Sequence, residues 1–308
     1  TGSYKGKLEG SIVEVLERST SSLVGRVLNE NGHFVVVPED QRIKHDVYIA
    51  PADLAGAEHG QVVACEIIRQ PNRHVPPQGK ITEVLGEIAD PGMEIEIALR
   101  KFDVPHQFSE ATLAQAAKLP SRVMAADLQG RVDLRDLPFF TIDGEDAKDL
   151  DDAIYMDSLA NGYRLYVHIA DVAHYVNAKS AIGQSAYERS SSVYMVDRVV
   201  PMLPKELSNG ICSLHPHVDR LAMTVQIDIN FNGEVIDYHL YESVIQSKRR
   251  MSYNEVNTSE DLGEVSTMVH MMLDCASRLK YKREQAGSIG FDSDESNFVI
   301  DNNGKVLD

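Results

Sequence analysis

The chain has 308 residues, 43% of them apolar, enough to bury a core in about two domains. Its formal charge of −17 excludes adhesion to nucleic acid through overall charge, so a nucleic-acid role must come from local basic stripes, metal ions or segments outside it. Cys65, Cys212 and Cys275 are too few and too widely spaced for a disulfide framework and fit a reducing cytoplasm, and no apolar run approaches the roughly 20 residues of a membrane span.

From Lys7 to about Leu85, short β-rich runs alternate with turns: GSIVEVL, SSLVGRVL, GHFVVVPE, HDVYIAP, QVVACEIIRQ and KITEVLG. About five strands in roughly 80 residues predict a small barrel of OB or cold-shock size. Gly25, Gly32 and Gly60 are expected at turns, where φ freedom is needed. Next, Met93 to Lys101 and Ser109 to Lys118 predict short helices, the second capped by Ser109, joined by the Pro-containing FDVPHQF. A second domain is expected from Arg131. In it YRLYVHIADVAHYV predicts a long buried strand after an Asn161-Gly162 turn, and Asn232-Gly233 predicts a second hairpin. Ala181 to Ser192 and Thr267 to Gln285 predict helices, so this domain mixes α and β. The terminal NFVIDNNGKVLD predicts a strand, a turn and the start of a return strand, so the domain is expected to continue past Asp308.

The chemistry concentrates in TIDGEDAKDLDDAIY, where Asp143, Glu145, Asp146, Asp149, Asp151 and Asp152 place six carboxylates in ten residues against Lys148 alone. Apolar flanks, LPFF before and AIY after, set the acids at the lip of a packed sheet rather than in a disordered tail. Such repulsion asks for a hard divalent cation, magnesium or manganese, since softer metals call for Cys or His. In an extended run Asp149 and Asp151 share a face and Asp152 opposes them; a bend lets Asp143 and Asp152 converge on one ion. Magnesium takes one or two carboxylates and completes its shell with water and phosphate oxygens, which suits phosphodiester hydrolysis. The bland alternative is an ion that pins a loop, although the EF-hand pattern fails here. Cys212, His215 and His217 lack the second half of a zinc site, and His168 is expected as a sheet histidine. Tyr194 and Tyr253 are candidates for base stacking, and Lys248-Arg249-Arg250 is either a phosphate track or a solvated face.

Taken in order, TIDGEDAKDLDDAIY, LYVHIADVAHYV, SSVYMVDRVVPMLPKELSNGICSLHPHVDRLAMT and GSIGFDSDESNF resemble the catalytic domain of the ribonuclease II superfamily, the RNB family. RVDLRDLPFFTIDGEDAKDLDDAIY is especially similar to its bacterial ribonuclease R branch. The resemblance implies a multidomain α+β protein. Residues 1–18 would be the remnant of a preceding cold-shock domain, with Gly10 to Val15 its last strand. Residues 19–88 would form a cold-shock/OB-type barrel, 89–130 a helical linker, and 131–308 the first part of a mixed α/β RNB catalytic domain. It further implies a processive, magnesium-dependent 3′ to 5′ exoribonuclease, with manganese as the alternative ion, that degrades single-stranded and structured RNA to 5′ nucleoside monophosphates in the cytoplasm.

By matching motifs, Asp143, Asp149, Asp151 and Asp152 take the family's four aspartate positions. Asp143 and Asp152 are implied as direct metal ligands and Asp151 as indispensable to chemistry. Tyr194 matches the family's clamp tyrosine and Tyr253 the one that stacks near the scissile end. Single-stranded RNA is the implied partner, with the ribosome or RNA-decay factors for the parent protein and no membrane. The family's later arginine motif, its C-terminal S1 barrel and its lysine-rich tail are not in these residues, so the chain alone is expected to show little nuclease activity. The competing expectation is a non-catalytic RNA-binding module, or an inactive homologue, whose acids fold around a structural ion.

Overall fold

The computed structural model describes the chain apart from residues 1, 5, 11–12, 15, 17–19, 73, 259–261, 292–298, 300 and 302–308. The described residues of the expected strand GSIVEVL, 10, 13, 14 and 16, are not in a strand, and the terminal NFVIDNNGKVLD falls largely outside the described residues. The chain divides into two compact units, one built on residues 1–106 with 195–198, the other on the described residues of 107–194 and 199–296.

In the first unit β1 (Gly2–Tyr4) and β2 (Lys7–Glu9) form a hairpin. Strands β3 (Ser22–Glu30), β4 (His33–Pro38), β5 (Val47–Ile49), β6 (Gln61–Arg69) and β7 (Gln78–Glu87) then close a barrel in the order β3-β4-β5-β7-β6. Its interior is the alternating β-branched set Val27, Val36, Val47, Ile49 and Val63, all fully buried. Gly25 differs from expectation. It lies inside β3, where a Cβ would stand 2.3 Å from the Val37 carbonyl oxygen, so this glycine permits close strand approach rather than a turn. Helix α1 (Met93–Lys101) follows the barrel, burying Met93 and Leu99.

The second unit opens with α2 (Glu110–Ala116), whose N-cap Ser109 accepts a hydrogen bond from the Thr112 amide at 3.2 Å, as the sequence predicts. Its sheet is built from β8 (Val132–Asp133), β9 (Phe140–Asp143), β10 (Asp152–Leu159) and β11 (Gly162–Ala170). The short α3 (Val172–Tyr175), α4 (Ala181–Arg189) and the small hairpin β12 (Val193–Tyr194) and β13 (Val199–Val200) come next. A π-helical turn, Glu206–Ile211, leads to β14 (Asp219–Asn230), β15 (Val235–Gln246) and β16 (Arg249–Ser252), and then to α5 (Tyr253–Thr258) and α6 (Ser266–Gln285).

Seven strands join in the order β16-β9-β10-β11-β14-β15-β8, antiparallel except for the parallel pairs β16–β9 and β15–β8. One core gathers Ala153, Ala170, Ala222 and Ile245 with Leu150, Ile182, Leu207 and Leu214. A second gathers Met156, Tyr163 and Ile229 with Met268, Val269 and Cys275 of α6. The two sets alternate along β10, as a sheet covered on both faces requires. The first hairpin turns one residue earlier than expected, at Ala160-Asn161, because Leu159 pairs with Gly162. Gly162 instead lets β14 approach, since a Cβ there would meet the Ile229 carbonyl oxygen at 2.0 Å. Among the described residues no helix is long and apolar enough to cross a membrane.

His168 of β11 is fully buried, with the Phe139 ring edge-on at 3.9 Å between centroids. Its Nδ1 lies 2.7 Å from Thr224 Oγ1, which lies 2.6 Å from Ser243 Oγ, and Ser243 Oγ donates to the Ala222 carbonyl. The direction of that last bond makes Thr224 donate to Ser243 and His168 Nδ1–H donate to Thr224, leaving Nε2 as an unpaired acceptor. Burial pushes the imidazole down to about 3. The folded protein therefore holds it neutral while the unfolded chain protonates near 6.5. Stability from this group is complete above the unfolded value and falls as pH drops from there toward the folded one. Between pH 7.5 and 5.0 it should cost about 2 kcal/mol, and His168→Gln should flatten that part of the urea-denaturation pH profile. An unchanged profile in the variant would show that other groups set the slope.

Candidate functional site

The register of the sheet places the acidic run at one lip. Asp143 is the last residue of β9 and Asp152 the first of β10, so the run between them is a loop joining adjacent strands, not the extended segment that would alternate Asp151 and Asp152. Leu150, 1% exposed, is buried in the first core and pins the loop, while Asp151 and Asp152 on its far side are exposed. The Asp151 carbonyl accepts from the Ala170 amide at 2.9 Å, and the Leu150 carbonyl from the Leu214 amide at 2.7 Å. Asp143 Oδ1 accepts from its neighbouring Gly144 amide at 2.7 Å.

Strand β16 runs parallel to β9 with Ser252 opposite Asp143, which brings the next residue, Tyr253, to the same lip. Ser252 Oγ accepts from the Glu255 amide at 3.0 Å and starts α5 at that point. Tyr194 arrives on the β12–β13 hairpin. There Arg189, stacked on the Phe108 ring at 3.8 Å, donates to the Pro201 carbonyl, and Ser192 Oγ accepts from the Met202 amide. Both tyrosines are largely exposed, Tyr194 at 70% and Tyr253 at 57%.

The charges confirm that these side chains are neighbours. Partial burial raises the Asp152 carboxyl above its ordinary range, and the charges of Asp151 and Asp143 raise it further. The Tyr194 phenol is raised by burial and then by Asp149, Asp151 and Asp143; that of Tyr253 by burial and then by Asp143, Asp152 and Asp151. All four aspartates and both tyrosines named from the sequence thus share one electronegative lip. Among the described residues none of the four aspartates has an ion-pair partner, and no group of three or more His, Cys, Asp and Glu stands close enough to cage a metal.

The two arginines of the basic triplet are engaged within the chain. Lys248 Nζ donates to Gln246 Oε1, Arg249 bonds the Leu262 carbonyl and pairs with Glu255, and Arg250 Nη2 donates to the carbonyls of Gly144 (3.1 Å) and Glu145 (2.5 Å). Arg250 thereby holds the acidic loop, aided by Asn254 Nδ2 donating to Glu145 Oε1 at 2.9 Å. The segment around Cys212 is no metal site either; burial pushes its thiol up to about 12. Its neighbour Ser213 grips the loop from beneath, donating from Oγ to the Lys148 carbonyl (2.8 Å) and accepting from the Leu150 amide (3.1 Å). No local pattern marks Ser213 or Asn254, or the role of Arg250, because each meets the loop from a distant strand, turn or helix.

Comparison with known proteins assigns a closed five-stranded barrel followed by a mixed sheet with an acidic, tyrosine-flanked lip to a known family. The RNB domain model matches residues 131–308 and a cold shock domain model matches 35–109. The chain belongs to the RNB domain family. Ribonuclease R of Thermotoga maritima is 44% identical to it, the match covering 100% of this chain and 45% of the relative. The Mycoplasma genitalium RNase R structure with double-stranded RNA superposes with a TM-score of 0.89 at 28% identity, over 96% of this chain and 54% of that one. The same protein with ribose-methylated single-stranded RNA also gives 0.89 at 28% identity, over 96% of this chain and 48% of that one. Yeast Ssd1, described as a pseudonuclease, shares the fold with a TM-score of 0.72 at 21% identity, over 89% of this chain and 35% of that one. The chain spans about half the length of the ribonuclease R relatives it matches.

The hairpin that carries Tyr194 stores strain. Ser190 has φ 62° and ψ −36°, and the Ser191 amide bonds the Arg189 carbonyl at 2.7 Å, a γ-turn of the rare positive-φ form. Ser190→Gly should raise stability by about 0.5–1 kcal/mol despite losing the exposed bond to the Tyr187 carbonyl. A thermal melt that does not rise would show the turn is unstrained.

Proposed function

We propose that this chain is the cold-shock and acidic-lip portion of a 3′ to 5′ exoribonuclease that hydrolyses single-stranded and structured RNA, processively, to 5′ nucleoside monophosphates. The observation that carries the reading is the convergence of Asp143, Asp149, Asp151 and Asp152 with Tyr194 and Tyr253 on one lip of an RNB domain. In this reading residues 1–18 end a preceding cold-shock domain, 19–88 form the barrel, 89–130 link, and 131–308 begin the catalytic domain. The setting is the cytoplasm, and the RNA partner accords with the RNA bound in the Mycoplasma relative.

The lip fits a hard divalent cation. Its donors are carboxylate oxygens, and no lysine or arginine among the described residues pairs with the four aspartates. A magnesium ion needs only one or two protein carboxylates and completes its shell with water and phosphate oxygens, so two aspartates suffice, with manganese as the alternative ion. Asp143 and Asp152 would hold it, with Asp149 and Asp151 beside them. When bound, the ion polarises the phosphodiester and activates water. The chain's own part is positional: the two exposed phenol rings offer faces on which the last bases stack, each worth about 1–3 kcal/mol.

The likeness to a pseudonuclease concerns fold alone, so the competing reading of an RNA-binding module must be met with a catalytic test. In a polypeptide of the relatives' full length, Asp151→Asn should lower magnesium-dependent release of mononucleotides from uniformly labelled RNA by about 10³-fold or more, with RNA affinity within about threefold. Tyr194→Ala and Tyr253→Ala should instead weaken RNA binding by about 1–3 kcal/mol each. Equal loss of binding and cleavage in Asp151→Asn, or binding with no product from the unaltered protein, would favour the module.

A further inference from the structure

Six carboxylates crowd the loop from Asp143 to Asp152, and the groups that fasten it avoid the carboxylates of the four aspartates. Arg250 reaches the Gly144 and Glu145 carbonyls from above. Ser213 takes the Lys148 carbonyl and the Leu150 amide from below. Ser213, 1% exposed, is itself fixed by Arg220, whose Nε donates to the Ser213 carbonyl at 2.7 Å while Nη2 donates to Gly210 at 3.2 Å and Nη1 to Asp219 at 2.9 Å, both backbone carbonyls. Arg220 is 7% exposed and uses three carbonyls in place of a carboxylate. Two guanidinium groups and a hydroxyl thus hold the backbone of the lip and leave its aspartates unneutralised. An arginine paired to Asp149 or Asp151 would fix the loop equally well, but it would cancel the charge that a cation needs.

We propose that Ser213, backed by Arg220, and Arg250 are positioning residues of the lip: neither Ser213 nor Arg250 touches the cation, yet its affinity depends on the loop backbone they hold. The inference rests on the metal reading above and adds two residues to it. Ser213→Ala leaves the Leu150 amide without its acceptor inside the core, and Arg250→Ala frees two carbonyls at the other end of the loop. Arg250→Lys restores a single point donor in place of the planar fork and should restore part of the function.

The test uses the 308-residue chain, with Mn2+ as probe, read by the paramagnetic signal of the free ion, and amide hydrogen exchange across residues 143–152 as a second, independent readout. With melting temperatures close to that of the unaltered chain, Ser213→Ala and Arg250→Ala should each weaken Mn2+ binding about tenfold, with Arg250→Lys between them and the parent. Exchange at Leu150 should quicken at least about tenfold in Ser213→Ala, in keeping with loss of one buried hydrogen bond. Parent-like Mn2+ affinity in both alanine variants overturns the proposal. If the parent chain binds no Mn2+, the metal reading fails, and with it the claim of dependent affinity; exchange then shows only whether Ser213 and Arg250 hold the loop. If Ser213→Ala lowers the melting temperature too far to compare, Arg250→Ala, at an exposed side chain, decides the matter.

Discussion

The structure of the second unit turns on one contact, the burial of Leu150 between Asp149 and Asp151. A carboxylate about 5 Å from another repels it by about 1–3 kcal/mol at the effective dielectric of a protein surface, and the charges of Asp151 and Asp143 do act on the Asp152 carboxyl. Full burial of a leucine returns about 1.5–3 kcal/mol, and each backbone bond to the loop about 1 more. These quantities are of the same size, so the loop is held by a narrow margin. The apolar residue in the middle of the acids is what allows them to stand together in an ordered segment.

This arrangement explains how a chain of charge −17 can belong to a family whose relatives are solved with RNA. The acids are local and directed, and the two tyrosines stand beside them with exposed rings. Arg250 beside the lip bonds backbone carbonyls, and guanidinium pairs such as Arg164 with Asp228 and Arg131 with Asp171 brace the sheet elsewhere. Long-range attraction for a polyanion is therefore not what this portion contributes. In the proposed reading, its contribution is a short-range site that would become hospitable to phosphate once a cation offsets its charge.

Much of this was legible in the sequence. Period-two runs of Val and Ile gave the five barrel strands, the capping Ser109 gave α2, and the charge anomaly with the family motifs gave six residues that the fold gathers at one lip. The errors have a common origin. Gly25 and Gly162 were assigned to turns because glycine is a local signal for φ freedom, whereas both serve close approach of a neighbouring strand, which only the assembled sheet defines. Likewise Lys248-Arg249-Arg250 looks like a surface stripe when read along the chain, but a parallel strand aims its last arginine at a loop far away in sequence. Ser213 carried no signal at all, since a serine in a loop is ordinary until its hydroxyl is seen between two backbone groups.

The parallel pairing of β16 with β9 also fixes an order of events. Arg250 and Gly144 are separated by 106 residues, and Ser213 and Leu150 by 63. On a ribosome the acids emerge well before either fastener, and at typical synthesis rates the interval to Arg250 is about 5–20 s. Until they emerge the acidic run has neither fastener, and of the two Ser213 emerges before Arg250, so the grip from the β16 side is the last that synthesis can supply.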